Sequence, residues 1–370
     1  MGSKGGRLQL SSHAVLERLG HWVIHYQLYR QPKRRTLLPC LRAIGLMIAG
    51  LVILLAITGA SYQTIETRAD ARRFPQQGKS VDIGGYKLNL NCTGQGSPTV
   101  VLEGGLASPS FTWSRVQPGI ASFTRVCSYD RAGYMWSDYS PLPRTSVQIA
   151  RELHMLLQNA GEKPPYVMVG HSFGGLDIRV YNGLYPNEVA GMVLPESTHP
   201  DLLDRLPPGI KRMSDNAQKQ RERQDRIAPL LYWLGIARFR SRKQIQNLSA
   251  SYGSREYAYL NIQPKFIDTV TREAGALEES GAQVKASGTL GDKPLIVLTA
   301  GKSVLGMPVK GKELEELRDI WVNDLQLQLV RLSSRGKRIT VSDSDHMIPF
   351  ERPDTIVNAV REVCAATQLH

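Results

Sequence analysis

Cysteine is scarce in this sequence, and several patterns that mark specialised proteins are missing. The 370 residues include four cysteines, which lack the spacing of a zinc site and are too few for a small disulfide-dense domain. The chain also has no internal repeat, no low-complexity tract and no helix-turn-helix pattern. What remains is an ordinary globular protein, which the 42% hydrophobic and 21% charged composition also indicates.

Acidic residues are fewer than basic ones, 33 against 46, and the formal net charge is +13. The excess is local. Residues 1–42 contain eight Lys/Arg and one Glu, and residues 201–250 contain eleven Lys/Arg and five Asp/Glu. Neither block has the basic stripe with interleaved aromatic residues that nucleic-acid recognition uses. We therefore expect no nucleic-acid partner.

Charge is absent from Ala43 to Ile65, and most of this run is apolar. About 20 apolar residues cross a bilayer core of ~30 Å, so we predict a single transmembrane helix over residues 43–61. Because positively charged flanks stay in the cytoplasm, residues 1–42 should be cytoplasmic and the remainder extracytoplasmic. A signal peptide cleaved near Ala60 is the alternative, which the long segment before the apolar run disfavours.

After the apolar run, the pattern of polar and apolar residues changes twice. Residues 62–78 are polar and predict a tether. From residue 79 to residue 370, short apolar strands alternate with helical patterns, which is typical of a mostly parallel sheet covered on both faces. The interval from about 200 to 290 is basic and helical and lacks strand signals, so we interpret it as an insertion between two strands.

The stretch YVMVGHSFGG, residues 166–175, is the most informative motif. A Gly-x-Ser-x-Gly match alone is weak evidence in a chain with 33 glycines. Here, however, Ser172 follows a β-rich run and precedes a helical pattern, which is the strand–turn–helix context of a nucleophile elbow. Gly170 and Gly174 remove the Cβ atoms that would clash in such a turn. Ser172 is therefore the candidate nucleophile.

Together with VVLEGG, YDRAGY and the late SDHMIPFERPD, this motif resembles the α/β-hydrolase superfamily over about residues 79–370. The resemblance implies an eight-stranded, mostly parallel sheet. It also implies a nucleophile after the fifth strand and a helical cap inserted after the sixth. Relatives usually have Gly where this chain has Met135, so the sequence departs from the family in that loop.

The resemblance also implies the partners of Ser172. His346 matches the family's catalytic histidine, and a serine nucleophile needs such a base. The acid that orients it usually follows the seventh strand, where this chain has none before Glu313. Some members place the acid after the sixth strand, and there we predict Glu196, although Asp is commoner at that position. Glu313 and Asp319 are the alternatives.

An oxyanion hole requires two fixed N–H donors. The family pattern places one at the amide of Phe173, directly after the nucleophile. The other is expected in the glycine turn after VVLEGG, at Gly105 with Leu106 adjacent.

Two further features have two interpretations each. Cys92 and Cys127 fall on the predicted second and fourth strands, which are neighbours in this fold, so they form either a disulfide or two buried thiols.

In the cap, an apolar segment adjoins Arg238, Arg240 and other basic residues. This segment is either a lid that touches anionic headgroups or a packed helix with solvated charges.

The sequence thus predicts a membrane-anchored serine hydrolase that cleaves a small-molecule carboxylic ester. Lipophilic esters are among the possible substrates. The predicted reaction requires no metal and no organic cofactor. An amidase, thioesterase or acyltransferase would use the same triad. A non-catalytic binding protein on the same fold is the alternative of another class. Dehalogenation would need a carboxylate where Ser172 stands, whereas cofactor-free peroxidase chemistry would be compatible with the triad.

Overall fold

The computed structural model describes residues 34–225, 227–247, 258, 262–302 and 311–367. The chain divides into two compact units, Met1–Thr58 and Gly59–His370. Of the predicted cytoplasmic segment 1–42, residues 1–33 lie outside the described residues.

One long helix, α1, covers Arg34–Arg73. Among the described residues it is the one helix that is long and apolar enough to cross a membrane, from Leu38 onwards. The predicted tether over residues 62–78 differs from the structure, because α1 continues to Arg73. The physical reason is visible in the sequence: no glycine or proline interrupts this stretch before Pro75.

A single eight-stranded sheet forms the centre of the second unit, with strand order β1-β2-β4-β3-β5-β6-β7-β8. β2 pairs antiparallel with β1 and β4, and all other neighbouring strands are parallel. The β1–β2 hairpin turns at Gly84 and Gly85, which have φ of +99° and +113°, values that glycine adopts without strain. The predicted eight-stranded, mostly parallel sheet is confirmed. The strands are β1 (Lys79–Asp82), β2 (Lys87–Thr93), β3 (Thr99–Glu103), β4 (Val126–Tyr129), β5 (Tyr166–Gly170), β6 (Val189–Pro195), β7 (Leu295–Ala300) and β8 (Gly336–Val341).

Helices cover both faces of the sheet and also form the insertion. In the described part of the chain, the α-helices after α1 are α2 (Gln117–Ala121), α3 (Ser146–Ala160), α4 (Gly174–Leu184), α5 (Pro208–Asp225), α6 (Ala228–Trp233), α7 (Ile236–Asn247), α8 (Pro264–Gly275), α9 (Leu277–Ala286), α10 (Lys312–Arg318), α11 (Gln326–Val330), α12 (Ile348–Glu351) and α13 (Pro353–Thr367). A π-helical segment, Asp319–Leu325, joins α10 to α11.

The parallel strands send alternate side chains into two cores. On one face, Val101 of β3 and Met168 of β5 pack in a cluster that also contains residues of α3 and α4. On the other face, Val100 and Val167 pack in a cluster that contains residues of α2 and α13. Burial on both faces explains why these strands are nearly continuous apolar runs in the sequence.

The segment between β6 and β7 contains helices α5 to α9, as predicted for the insertion after the sixth strand. We call this segment the cap. A third apolar cluster forms where its first part meets the π-helical segment, and it includes Leu206, Ile210 and Trp321.

Cys92 and Cys127 occupy directly opposed positions on β2 and β4 and form a disulfide. Glu162 lies near the two sulfur atoms, and the three residues are the one close group of potential metal ligands among the described residues. Because both sulfurs are in the disulfide, the thiolates that a metal would need are not there.

Reduction of this disulfide should destabilise the protein. The disulfide joins two residues 35 positions apart. Its loss should lower the free energy of unfolding by about 2–4 kcal/mol. We expect two free thiols in the unfolded, unreduced chain and four after reduction. The Cys92→Ala/Cys127→Ala variant should melt at a lower temperature, whereas Cys40→Ala, which removes an exposed free cysteine, should not. Four thiols before reduction would rule out the bond.

Candidate active site

The turn between β5 and α4 places Ser172 at the carboxyl end of the central strands. Ser172 has φ of +52°, in the left-handed region that a serine rarely adopts. The turn is also crowded. A Cβ atom on Gly170 would lie 2.7 Å from the Gly174 carbonyl oxygen, and one on Gly174 would lie 2.5 Å from the Gly104 carbonyl oxygen. Glycine is therefore required on both sides of the serine.

His346 lies in the loop after β8 and contacts both other predicted triad residues. Its Nε2 is 3.1 Å from Ser172 Oγ, and its Nδ1 is 3.3 Å from Glu196 Oε2. Glu196 is fully buried, whereas the His346 ring is partly exposed. This arrangement can take a proton from the serine hydroxyl and stabilise the resulting imidazolium.

Glu196 follows β6 directly and, like Ser172, has a positive φ, of +45°. Its Oε1 accepts a hydrogen bond of 2.7 Å from the backbone N–H of Ala300, and its Oε2 accepts one of 3.2 Å from Trp321 Nε1. Trp321 lies on the π-helical segment, and such segments are frequent at functional sites. We did not predict its role, because no local pattern links it to a residue 125 positions earlier.

The alternative acids lie elsewhere. Glu313 accepts a hydrogen bond from the backbone N–H of Gly209, and Asp319 accepts one from Asn323. Of the three candidates, Glu196 is thus the carboxylate on the His346 ring.

Arg131, from the YDRAGY motif, holds the glycine loop after β3. Its Nη1 donates to the Gly104 carbonyl and its Nη2 to the Gly105 carbonyl, both at 2.7 Å. Because a trans peptide points its C=O and N–H in opposite directions, the N–H groups of Gly105 and Leu106 face away from Arg131. A Cβ on Gly105 would lie 3.0 Å from Ser172 Cβ, so this loop packs directly against the nucleophile.

The amide of Phe173, the other predicted donor, lies at the start of α4. Within the described part of the chain, the N–H groups of Gly105, Leu106 and Phe173 donate to no protein acceptor. An oxyanion hole uses backbone N–H groups of this kind, so these three amides are the candidate donors.

Buried acidic groups surround Arg131 and connect it to the cap. It donates to Glu103 at 2.6 Å and to Glu273 of α8 at 3.0 Å, and Tyr134 also donates to Glu273. Burial alone would lower the pKa of Arg131, but the carboxylates of Glu273 and Glu103 outweigh it and hold this pKa above its usual range. Arg131 and Glu273 are 142 positions apart, so no local sequence pattern indicates this pair.

His171 joins the nucleophile turn to the histidine loop. Its Nε2 lies 2.8 Å from the backbone carbonyl of His346, and since a carbonyl only accepts, this nitrogen carries the proton. Burial, with a smaller effect of His346, lowers the pKa of His171 to about 3. The ring is therefore neutral at pH 7.

Two cavities lie between the cap and the nucleophile helix α4. One, of about 330 Å³, is lined by Leu106 and Phe173 together with cap residues such as Val270 and Leu277. The second, of about 420 Å³, is lined by more charged groups, including Lys285. The first cavity thus reaches the predicted oxyanion donors and is largely apolar.

The family model described as "alpha/beta hydrolase fold" matches residues 98–231. Among curated proteins, an uncharacterized Bacillus subtilis protein, YbdG, is 26% identical over 161 residues, which is 43% of this chain and 50% of that protein. An uncharacterized vacuolar membrane protein of Saccharomyces cerevisiae is 25% identical over 317 residues, 71% of this chain and 46% of its own length. The chain spans about half the length of these relatives or less.

Solved structures resemble the chain in fold. The epoxide hydrolase CorEH superposes with a TM-score of 0.59 at 19% identity, covering 78% of this chain and 98% of CorEH. A thermophilic esterase from Thermogutta terrifontis superposes with a TM-score of 0.50 at 20% identity, covering 79% and 99%. At these identities the likeness establishes the architecture and nothing finer.

Replacement of Arg131 by lysine should impair catalysis more than folding. Lysine keeps the buried charge but cannot hold the Gly104 and Gly105 carbonyls together. Loss of one oxyanion donor costs about 10²–10³ in rate, so if the amides of this loop are the predicted donors of an esterase, kcat on a soluble ester should fall by about 10²-fold. Arg125→Lys, which alters an ion pair at the opposite end of β4, is the matched control. A wild-type kcat in Arg131→Lys would contradict this role.

The free energy of unfolding should fall less at acidic pH in the His171→Gln variant than in the wild-type protein. The unfolded chain binds a proton at His171 below a pH of about 6.5, but the folded chain does so only near pH 3. The free energy of unfolding therefore decreases as the pH falls, and His171 accounts for a decrease of about 2 kcal/mol between pH 7 and pH 5. Glutamine retains a donor for the His346 carbonyl but does not titrate. Urea unfolding in detergent at both pH values should give a correspondingly smaller loss for the variant, and an equal loss would refute the assignment.

Proposed function

We propose, from the premise that this chain has the α/β-hydrolase fold, that it is a membrane-anchored serine hydrolase acting on carboxylic esters. The observation that carries the proposal is the contact of the His346 ring with Ser172 on one nitrogen and with Glu196 on the other. A hydrolase is compatible with this architecture, which an esterase and an epoxide hydrolase share.

In the first step, Ser172 Oγ attacks the ester carbonyl carbon while His346 Nε2 takes its proton. Glu196, whose position is fixed by Ala300 and Trp321, stabilises the imidazolium on the Nδ1 side. The imidazolium then protonates the departing alcohol oxygen, and the acyl group remains on the serine. Water, deprotonated by His346, attacks this acyl-enzyme and releases the acid.

Negative charge that develops on the carbonyl oxygen needs donors that are already in place. We assign this role to the Phe173 amide and to the amides of Gly105 and Leu106, whose peptide planes are fixed by Arg131. Because Arg131 is buried and forms ion pairs with Glu103 and Glu273, the donors need little reorganisation during the reaction.

The apolar cavity beside Leu106 and Phe173 supports an acyl group of modest size. An amide, a thioester or an acyl acceptor other than water would use the same residues. Between an ester and an amide we favour the ester, because its alcohol leaves more readily than an amine.

The disulfide between Cys92 and Cys127 supports an extracytoplasmic catalytic unit, since disulfides persist in oxidising compartments. Together with the basic residues before the apolar run, it supports an orientation with the N-terminus in the cytoplasm. The likeness to a vacuolar membrane protein agrees with a membrane location.

The proposal is tested by labelling the full chain with a fluorophosphonate, which reacts with activated serines, and by assaying esters of graded acyl length. Ser172→Ala should lose both labelling and hydrolysis, whereas Ser122→Ala, at an exposed serine, should retain both. Glu196→Gln should lower kcat on the order of 10³–10⁴-fold. The amide N–H₂ would donate to His346 Nδ1 and thereby place the ring proton on the nitrogen that must accept from serine.

Labelling that persists unchanged in Ser172→Ala would contradict this nucleophile. Folded wild-type protein that neither reacts with the probe nor hydrolyses any ester would favour a non-catalytic binding protein on the same fold.

A further inference from the structure

Two cap helices pack against the part of α1 that directly follows its apolar run. A Cβ on Gly59 would lie 2.4 Å from the Leu234 carbonyl oxygen, and one on Gly235 would lie 2.9 Å from the ring of Tyr62. Gly235 has φ of +69° and separates α6 from α7. The turn between these helices therefore touches α1 backbone to backbone, which only glycine permits on both sides.

A buried polar contact fastens the same helices to α1. Arg238 of α7 donates through Nε to Gln63 at 3.1 Å and through Nη1 to Asp70. All three side chains are buried. Breaking a buried ion pair leaves an uncompensated charge, so this contact fixes α7 on α1. It also changes the interpretation of the basic segment, because Arg238 is an internal residue and not part of a solvated or headgroup-binding surface.

The outer side of these two helices carries large apolar side chains in water-accessible positions. Leu230 and Trp233, three residues apart, share one face of α6 and are 53% and 57% exposed. Phe239 on α7 is 71% exposed, and Ile227 just before α6 is 55% exposed. We call these four residues the cap face. Exposed apolar clusters of this kind mark interaction sites.

The position of the cap face along the chain suggests what covers it. Gly59, which contacts the α6–α7 turn, is among the last residues of the predicted span 43–61, and Tyr62, which also contacts this turn, directly follows that span. The interfacial zone on each side of the hydrocarbon core is about 5–8 Å deep. If α1 crosses a bilayer, the α6–α7 turn lies at the level of the lipid headgroups.

Positive charge accompanies the apolar residues. Arg240, Arg242 and Lys243 are exposed on α7, next to Phe239. Arg242 and Lys243 follow Phe239 by three and four positions and therefore share its face of α7. Trp and Phe beside long cationic side chains are typical of a membrane interface, where the cations reach anionic headgroups.

We propose that the cap face lies in the interfacial zone of the bilayer that α1 spans, so that the cap is a second membrane contact of the protein. Ile227, Leu230, Trp233 and Phe239 enter the boundary between headgroups and acyl chains. Arg240, Arg242 and Lys243 contact anionic lipid phosphates. The inference rests on the membrane anchor in the proposed function, but not on the ester chemistry.

The test measures the depth of spin labels on the full chain in vesicles of phosphatidylcholine and phosphatidylglycerol. In a Cys40→Ser background, labels are attached at Trp233→Cys and Phe239→Cys. A matched control label is attached at Leu184→Cys, an exposed apolar position at the end of α4. Molecular oxygen concentrates in lipid and a nickel chelate stays in water, so their collision rates with each label report its depth.

We expect labels at 233 and 239 to collide more with oxygen than with nickel, and the label at 184 to show the reverse. Labels at 233 and 239 that match the control would overturn the proposal. So would labels shielded from both reagents, because they would be covered by protein, for example by a second copy of the chain. Loss of the protein from the vesicles in alkaline carbonate would contradict the anchor itself. None of these readouts depends on hydrolysis, so the catalytic proposal is judged separately.

Discussion

The turn at Ser172 is the constraint on which the rest of the site depends. A left-handed serine is unfavourable by about 1–3 kcal/mol, and it persists here because the surrounding backbone leaves no alternative. Gly170 and Gly174 approach neighbouring carbonyls more closely than any Cβ would allow. Glu196 repeats the same strained geometry at the end of the adjacent strand. Ser172 and Glu196 thus both leave the sheet at the carboxyl ends of neighbouring strands, where the loop after β8 brings the His346 ring within hydrogen-bond distance of each.

Much of the fold and the candidate nucleophile could be predicted because their signals are local. The strand–turn–helix pattern around Ser172 is contained within a few residues, and the strands that surround it are apolar runs because both their faces are buried. His346 and Glu196 have no such local pattern. Their prediction depended on chain order in a known architecture, and the geometry of these residues agrees with it.

Residues outside these patterns could not be found in the same way. Trp321 and Glu273 contact the site from elements more than 100 positions from their partners, and neither belongs to a motif. The expected tether before β1 is helical because its polar residues pack on the cap, as Gln63 does. Arg238 belonged to a basic run by composition, yet it is buried against Asp70. Composition describes a segment but does not tell which of its charges has a partner.

Two buried ion pairs hold the cap and limit how it can move. Arg238 binds Asp70 of α1, and Glu273 binds Arg131, which also holds the glycine loop after β3. Separating either pair would leave a buried charge unpaired, a cost of about 3–5 kcal/mol. A cap that lifts away as a lid would pay this cost and also release the glycine loop that it helps to position. The helices α7 and α8, which carry these two pairs, are therefore better described as fixed than as hinged, and the wall that α8 contributes to the apolar cavity through Val270 stays in place beside Leu106 and Phe173.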